Sequence, residues 1–79
     1  MSGLKHRKII LKVISEPEPM TRTVLVPKPE VSPVIKGVGN IDLLCGNCNE
    51  ILVEGISEGQ IRNIVIRCPK CESYNEVPP

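Results

Sequence analysis

Cys45-Gly46-Asn47-Cys48 and Cys68-Pro69-Lys70-Cys71 are two CxxC pairs separated by nineteen residues, and together they use every cysteine in the chain. No other feature restricts the fold as strongly. A CxxC turn is short enough for both sulfurs to reach one ion, and its backbone N–H groups point toward those sulfurs and offset their charge. Two such turns complete the four-thiolate tetrahedron that Zn²⁺ favours, with zinc–sulfur bonds of about 2.3 Å. The spacing C-x2-C-x19-C-x2-C lies within the range of such sites. The expected ligands are therefore Cys45, Cys48, Cys68 and Cys71, holding one zinc per chain.

The same cysteines admit other readings. Two disulfides need an oxidising compartment, yet the apolar run Ile9–Ile14 is too short for a secretory signal and has no small-residue cleavage site. A dithiol redox site would leave the second pair idle and calls for a βαβ context that the sequence lacks. Rubredoxin-type iron uses a similar sulfur cage, but such proteins surround it with aromatic residues. This chain has no Trp, no Phe and one Tyr. Zinc is the expected metal, although spacing alone does not separate it from iron.

At 79 residues the chain makes at most one small domain. A hydrophobic core of that size rarely supplies more than about 3–5 kcal/mol, so a staple is expected. Structural zinc fills that role, because its apparent binding free energy of roughly 10–16 kcal/mol is largely folding free energy. The formal net charge of +1 is unevenly placed, at +4 over residues 1–40 and −3 over residues 41–79. No strongly basic footprint marks the cysteine-bearing half. No stretch approaches the ~18 apolar residues of a membrane span. A cytoplasmic chain with reduced or metal-bound cysteines is expected.

The fold class expected is small and mainly β, a zinc ribbon with two CxxC knuckles over residues 37–79. Residues 1–36 are expected to form an extended, Pro-rich, partly disordered segment with one or two short strands. Its start is basic, with Lys5, His6, Arg7 and Lys8 in succession, and reads as a solvated terminus or a phosphate-contacting arm. Ile9–Ile14 is β-branched and apolar at its odd positions, and reads as a single strand. Five prolines between Ser15 and Pro33 exclude helix. Thr23–Val26 is a candidate second strand that would pair with Ile9–Ile14 as an isolated hairpin, marginal by itself. The segment is thus expected to serve association more than folding.

In the second half, Gly37 and Gly39 mark a turn. Ile41, Leu43 and Cys45 share strand parity, as do Ile64, Ile66 and Cys68, so apolar packing aligns with the metal on both sides. Glu50–Glu54 reads as a strand and Gly55–Gln60 as a loop. Ser57-x-x-Gln60 resembles a capping box, but Gly59 and the β-branched run Ile64-Val65-Ile66 favour strand over helix for Ile61–Cys68.

The stretch Cys45-Gly46-Asn47-Cys48-Asn49-Glu50-Ile51-Leu52, followed by Ile64-Val65-Ile66-Arg67-Cys68-Pro69-Lys70-Cys71, resembles the zinc-ribbon, rubredoxin-like families. Over residues 43–72 it is similar to phage Com-type translational regulators, small zinc fingers that bind messenger RNA. The resemblance implies a nucleic-acid role in which Arg62, Arg67 and Lys70 contact phosphates and Tyr74 stacks on a base. Tyr74 is equally readable as a lid over the metal. The competing reading, favoured by the overall charge and the scarcity of aromatics, is a protein-interaction or accessory module that presents Glu54–Gln60 or the N-terminal strands to an unknown protein. Catalysis is not expected. Four cysteines close the zinc shell that a catalytic site keeps open, and no serine has an evident base.

Overall fold

The computed structural model describes residues 6–79. These residues form eight short strands and no helix. Four of the strands make two antiparallel hairpins: β5 (Ile41–Leu44) with β6 (Ile51–Ile56), and β7 (Ile64–Arg67) with β8 (Tyr74–Val77). Each hairpin closes over one CxxC pair. The two knuckles repeat the same backbone bonds twenty-three residues apart: Cys45 N–H to Glu50 O and Asn49 N–H to Cys45 O in the first, Cys68 N–H to Ser73 O and Glu72 N–H to Cys68 O in the second. Each also places a non-glycine residue at positive φ, Asn49 at 64° and Glu72 at 69°.

Residues 7–36 supply the other four strands. β1 (Arg7–Ile10) runs parallel to β5 and β4 (Ile35–Lys36) parallel to β6. β2 (Lys12–Ile14) runs antiparallel to β8 and β3 (Val24–Leu25) parallel to β7. Two four-stranded sheets result, ordered β1-β5-β6-β4 and β2-β8-β7-β3. The N-terminal segment is therefore a belt that covers the outer side of every hairpin strand. An uncovered strand edge exposes unpaired N–H and C=O groups and is a liability that proteins block.

This corrects several expectations. The segment holds four strands rather than one or two, and Ile9–Ile14 does not pair with Thr23–Val26. It breaks at Leu11, which is buried and donates its N–H to Leu44 O at 2.9 Å. On either side of that residue the chain serves a different sheet. A boundary at residue 36 coincides with no gap in hydrogen bonding, because each of the four short strands gains a hairpin partner that an isolated N-terminal hairpin would lack. The prolines exclude helix, as expected, but the connections they stiffen carry the belt from one sheet edge to the next.

One core joins the two hairpins: Leu11, Leu43, Leu52, Val53, Ile56, Ile66 and Val77 pack with Cys45 and Cys68. Ile41, Leu43 and Cys45 are all buried, as parity predicts, and so are Ile66 and Cys68. Ile64 is only half-buried, while Val65 on the opposite parity is fully buried. Val65 is paired along both edges of its strand, by β8 and by β3 of the belt, and both faces of β7 are buried there. β7 starts at Ile64 rather than Ile61, and β6 continues through Gly55 to Ile56. The Ser57–Gln60 pattern does form half of a capping box, with Gln60 Oε1 accepting the Ser57 N–H at 2.8 Å, but it closes a turn with no helix behind it.

The β5–β6 register shifts between Ile41↔Ile56 and Leu43↔Val53, so Glu54 and Gly55 together oppose Asp42. Gly55 adopts a φ of 78°, as the extra residue of such a bulge requires, and a Cβ there would stand 2.5 Å from Gly37 O. The bulge turns the Gly55 N–H onto the buried Asp42 carboxylate at 3.0 Å. Asp42 also accepts from His6 Nδ1 at 2.8 Å and Lys8 Nζ at 3.3 Å. His6 and Lys8 are thus tethered to Asp42 while staying partly solvated, and Lys5 lies outside the described residues. Burial by itself would raise the Asp42 carboxyl. The bonds from His6, Gly55 and Lys8 outweigh it and hold the group below its ordinary range.

Candidate metal centre

The two knuckles meet, and Cys45, Cys48, Cys68 and Cys71 bring their sulfurs within 4.8 Å of one another. The closest approaches run between hairpins: Cys45 Sγ to Cys71 Sγ is 3.5 Å and Cys48 Sγ to Cys68 Sγ is 3.6 Å. A tetrahedron with zinc–sulfur bonds of about 2.3 Å has sulfur–sulfur edges of about 3.8 Å. The donor set, its count and its dimensions therefore fit a tetrahedral thiolate-binding ion. These four are the one group of three or more Cys, His, Asp or Glu side chains so clustered among the described residues.

Backbone and side-chain donors surround the sulfurs. The Asn47 N–H reaches Cys45 Sγ and the Lys70 N–H reaches Cys68 Sγ, each at 3.4 Å, the same bond at the same place in each knuckle. Loss of solvation pushes the Cys48 thiol up to about 12, with the neighbouring sulfurs adding to it, and raises Cys68 as well. Burial pulls Cys71 the same way, but hydrogen bonds from Ser73 and Asn47 outweigh it and bring that thiol down to about 6. Four sulfurs this close cannot all ionise alone. A divalent cation removes the conflict by taking the place of the protons.

Asn75 is a site residue that sequence reasoning missed. It is fully buried in β8, and its Oδ1 accepts the Gly46 N–H of the opposite knuckle at 2.8 Å. Its Nδ2 donates to Cys45 Sγ at 3.5 Å, Ser73 O at 3.2 Å and Ile66 O at 3.4 Å. One amide thus ties the first knuckle to the second hairpin without the metal. The available signal was weak: Asn75 shares strand parity with Val77, which marks it only as facing inward.

The residues nominated for nucleic acid do not converge. Arg67 and Tyr74 sit opposite each other in β7 and β8, but Arg67 is engaged by Glu72 at 3.2 Å, and Tyr74 is half-buried between Arg67 and Ile14 of the belt. Lys70 is exposed on the second knuckle. Arg62 precedes β7, at the opposite end of that strand from Cys68, and shares with Arg7 the rim of an apolar cleft of about 350 Å³. Among the described residues no helix is long and apolar enough to cross a membrane.

No family model, curated protein or solved structure matches this chain. Its four cysteines lie together in a small, mainly-β fold compatible with a metal-binding module.

Proposed function

We propose that the chain is a zinc-stapled module of the zinc-ribbon type, with Zn²⁺ on Cys45, Cys48, Cys68 and Cys71, and that it acts by binding a protein partner rather than by catalysis. The sulfur cluster carries the zinc reading, because its donors and spacing suit a closed tetrahedral shell. The partner reading draws support from fully exposed apolar side chains at two turns, Met20 and Val38, and from the half-exposed belt residues Ile10 and Val26. Dispersal of Arg62, Arg67, Lys70 and Tyr74 weighs against a phosphate-tracking surface of the Com-like kind.

Two measurements test this. Elemental analysis of the folded, reduced protein is expected to find one zinc per chain, and finding no metal would end the zinc reading. Titration with single-stranded RNA and duplex DNA at two salt concentrations is expected to give weak binding. An affinity that is tight and falls steeply with salt would replace the protein partner with nucleic acid.

A further inference from the structure

The four sulfurs are not equivalent. Cys45 and Cys68 are fully buried and Cys71 is partly covered, whereas Cys48 is an exposed residue whose thiol loses water only on the side that faces the other sulfurs. The three better-covered sulfurs each have two or more hydrogen-bond donors. As thiolates, Cys45 accepts from the Asn47 N–H and Asn75 Nδ2, and Cys68 accepts from the N–H groups of Lys70 and Cys71. Cys71 accepts from the Ser73 hydroxyl, the Ser73 N–H and the Asn47 side chain. Cys48 accepts from the Glu50 N–H.

Each donor draws electron density from a thiolate and weakens it as a nucleophile, while burial blocks the approach of a reagent. Both effects single out the same sulfur. We propose that in the zinc-loaded chain Cys48 is the modification site for soft electrophiles, and that its modification opens the metal site; this rests on the zinc reading above. With a maleimide, a Cys48 sulfur lone pair forms the C–S bond to one alkene carbon. The π pair shifts to the other carbon, which takes a proton from water. The product is a neutral thioether, a poor zinc ligand. Cys45 on one hairpin and Cys68 and Cys71 on the other remain, so the ion still bridges both knuckles while its fourth position becomes available to an outside ligand.

The test starts from protein whose zinc content has been measured. Sub-stoichiometric N-ethylmaleimide is quenched at early times and located by peptide mass spectrometry, while a chromogenic chelator reads accessible zinc. The expected result is at least tenfold more label on Cys48 than on any other cysteine, with accessible zinc rising in step. First label elsewhere, equal label on all four, or label on Cys48 with no change in accessible zinc would overturn the inference. Cys48→His keeps a zinc ligand while removing the nucleophile, and is expected to slow both label uptake and zinc access more than tenfold. Unchanged rates in a zinc-loaded Cys48→His chain would also overturn it. A chain with no zinc at the outset refutes the zinc reading and the inference with it, an outcome distinct from zinc-loaded protein labelled in the wrong place.

Discussion

The two hairpins and the belt reach order by different means. Each hairpin is local: its strands are joined through one knuckle, and the knuckle's turn bonds lie within six residues. The belt is entirely non-local, since Arg7 pairs with Ile41 and Lys12 with Glu76. Local closure specifies each half of the metal site, but it leaves four strand edges bare and a core too thin to stand. The belt closes those edges and contributes Leu11 to the core. On the proposed zinc reading, ion and belt compensate different deficits, of cross-linking and of edge coverage, and neither makes the other redundant.

The sharpest way to break this comparison is to remove one contributor at a time. Cys45→Ser or Cys68→Ser is expected to abolish cooperative folding, because structural zinc carries roughly 10–16 kcal/mol of apparent binding free energy. Circular dichroism during metal titration reads this directly. Deleting residues 1–36 is expected to weaken zinc affinity by more than about tenfold and to promote association of the bared edges. A truncated chain that binds zinc as the full chain does and stays monomeric in sedimentation would show that the hairpins suffice.

Single core substitutions sharpen the comparison. Leu52→Ala in a hairpin and Leu11→Ala in the belt should each cost about 2–4 kcal/mol in denaturant unfolding, since both residues are buried. Val13→Ala, at 42% exposure in the same belt, should fall within about 0.5 kcal/mol of the parent. A Leu11→Ala cost as small as that of Val13→Ala would reduce the belt to decoration.

Next in size is the belt's anchor. Asp42→Asn should cost about 1.5–3 kcal/mol, the usual worth of hydrogen bonds to a charged group. Because the folded-state pKa of Asp42 is depressed, its contribution is present above the ordinary carboxyl value of about 3.9 and is lost as the pH falls through the lower folded value. Parent and variant stabilities should therefore converge on acidification. The comparison belongs in metal-loaded protein above the pH at which protons displace zinc from the thiolates.

One expected effect is a gain. Glu72 holds a positive φ that costs a side-chain-bearing residue about 1–2 kcal/mol, whereas its counterpart Asn49 is better suited to that geometry. Glu72→Gly should stabilise the second knuckle by up to about 1 kcal/mol. The loss of the exposed contact to Arg67 subtracts little.

The sequence was informative where chemistry is local and uninformative where partners are distant. The meeting of the four cysteines followed from spacing, since a CxxC turn leaves its sulfurs few places to point. Strand parity placed Ile41, Leu43 and Ile66 inside, because a side chain's face follows from position within its own strand. Leu52, Val53 and Val65 escaped that reasoning: both faces of β6 and β7 are covered, which parity within a single strand does not reveal. Asp42 and Asn75 were harder still. A buried polar residue is recognisable only through its partners, and His6 and Gly46 lie thirty-six and twenty-nine positions away.

The belt's place in the chain has a consequence for synthesis. It leaves the ribosome before the hairpins, yet every residue it pairs with comes later, and Lys12 must wait for Glu76. Ile9, Ile10 and Leu11 therefore travel without partners until β5 is made, and Val13 and Ile14 until β8 is made. Lys8 precedes that apolar run and Lys12 interrupts it with charge, and the prolines that follow deny it a ready strand neighbour. The first hairpin can close well before the second cysteine pair emerges, but the last pairing partners of the belt arrive only with β8. Folding is thus gated by the final strand, and a nascent chain stalled before it would present an unpaired apolar segment to chaperones or to other nascent copies.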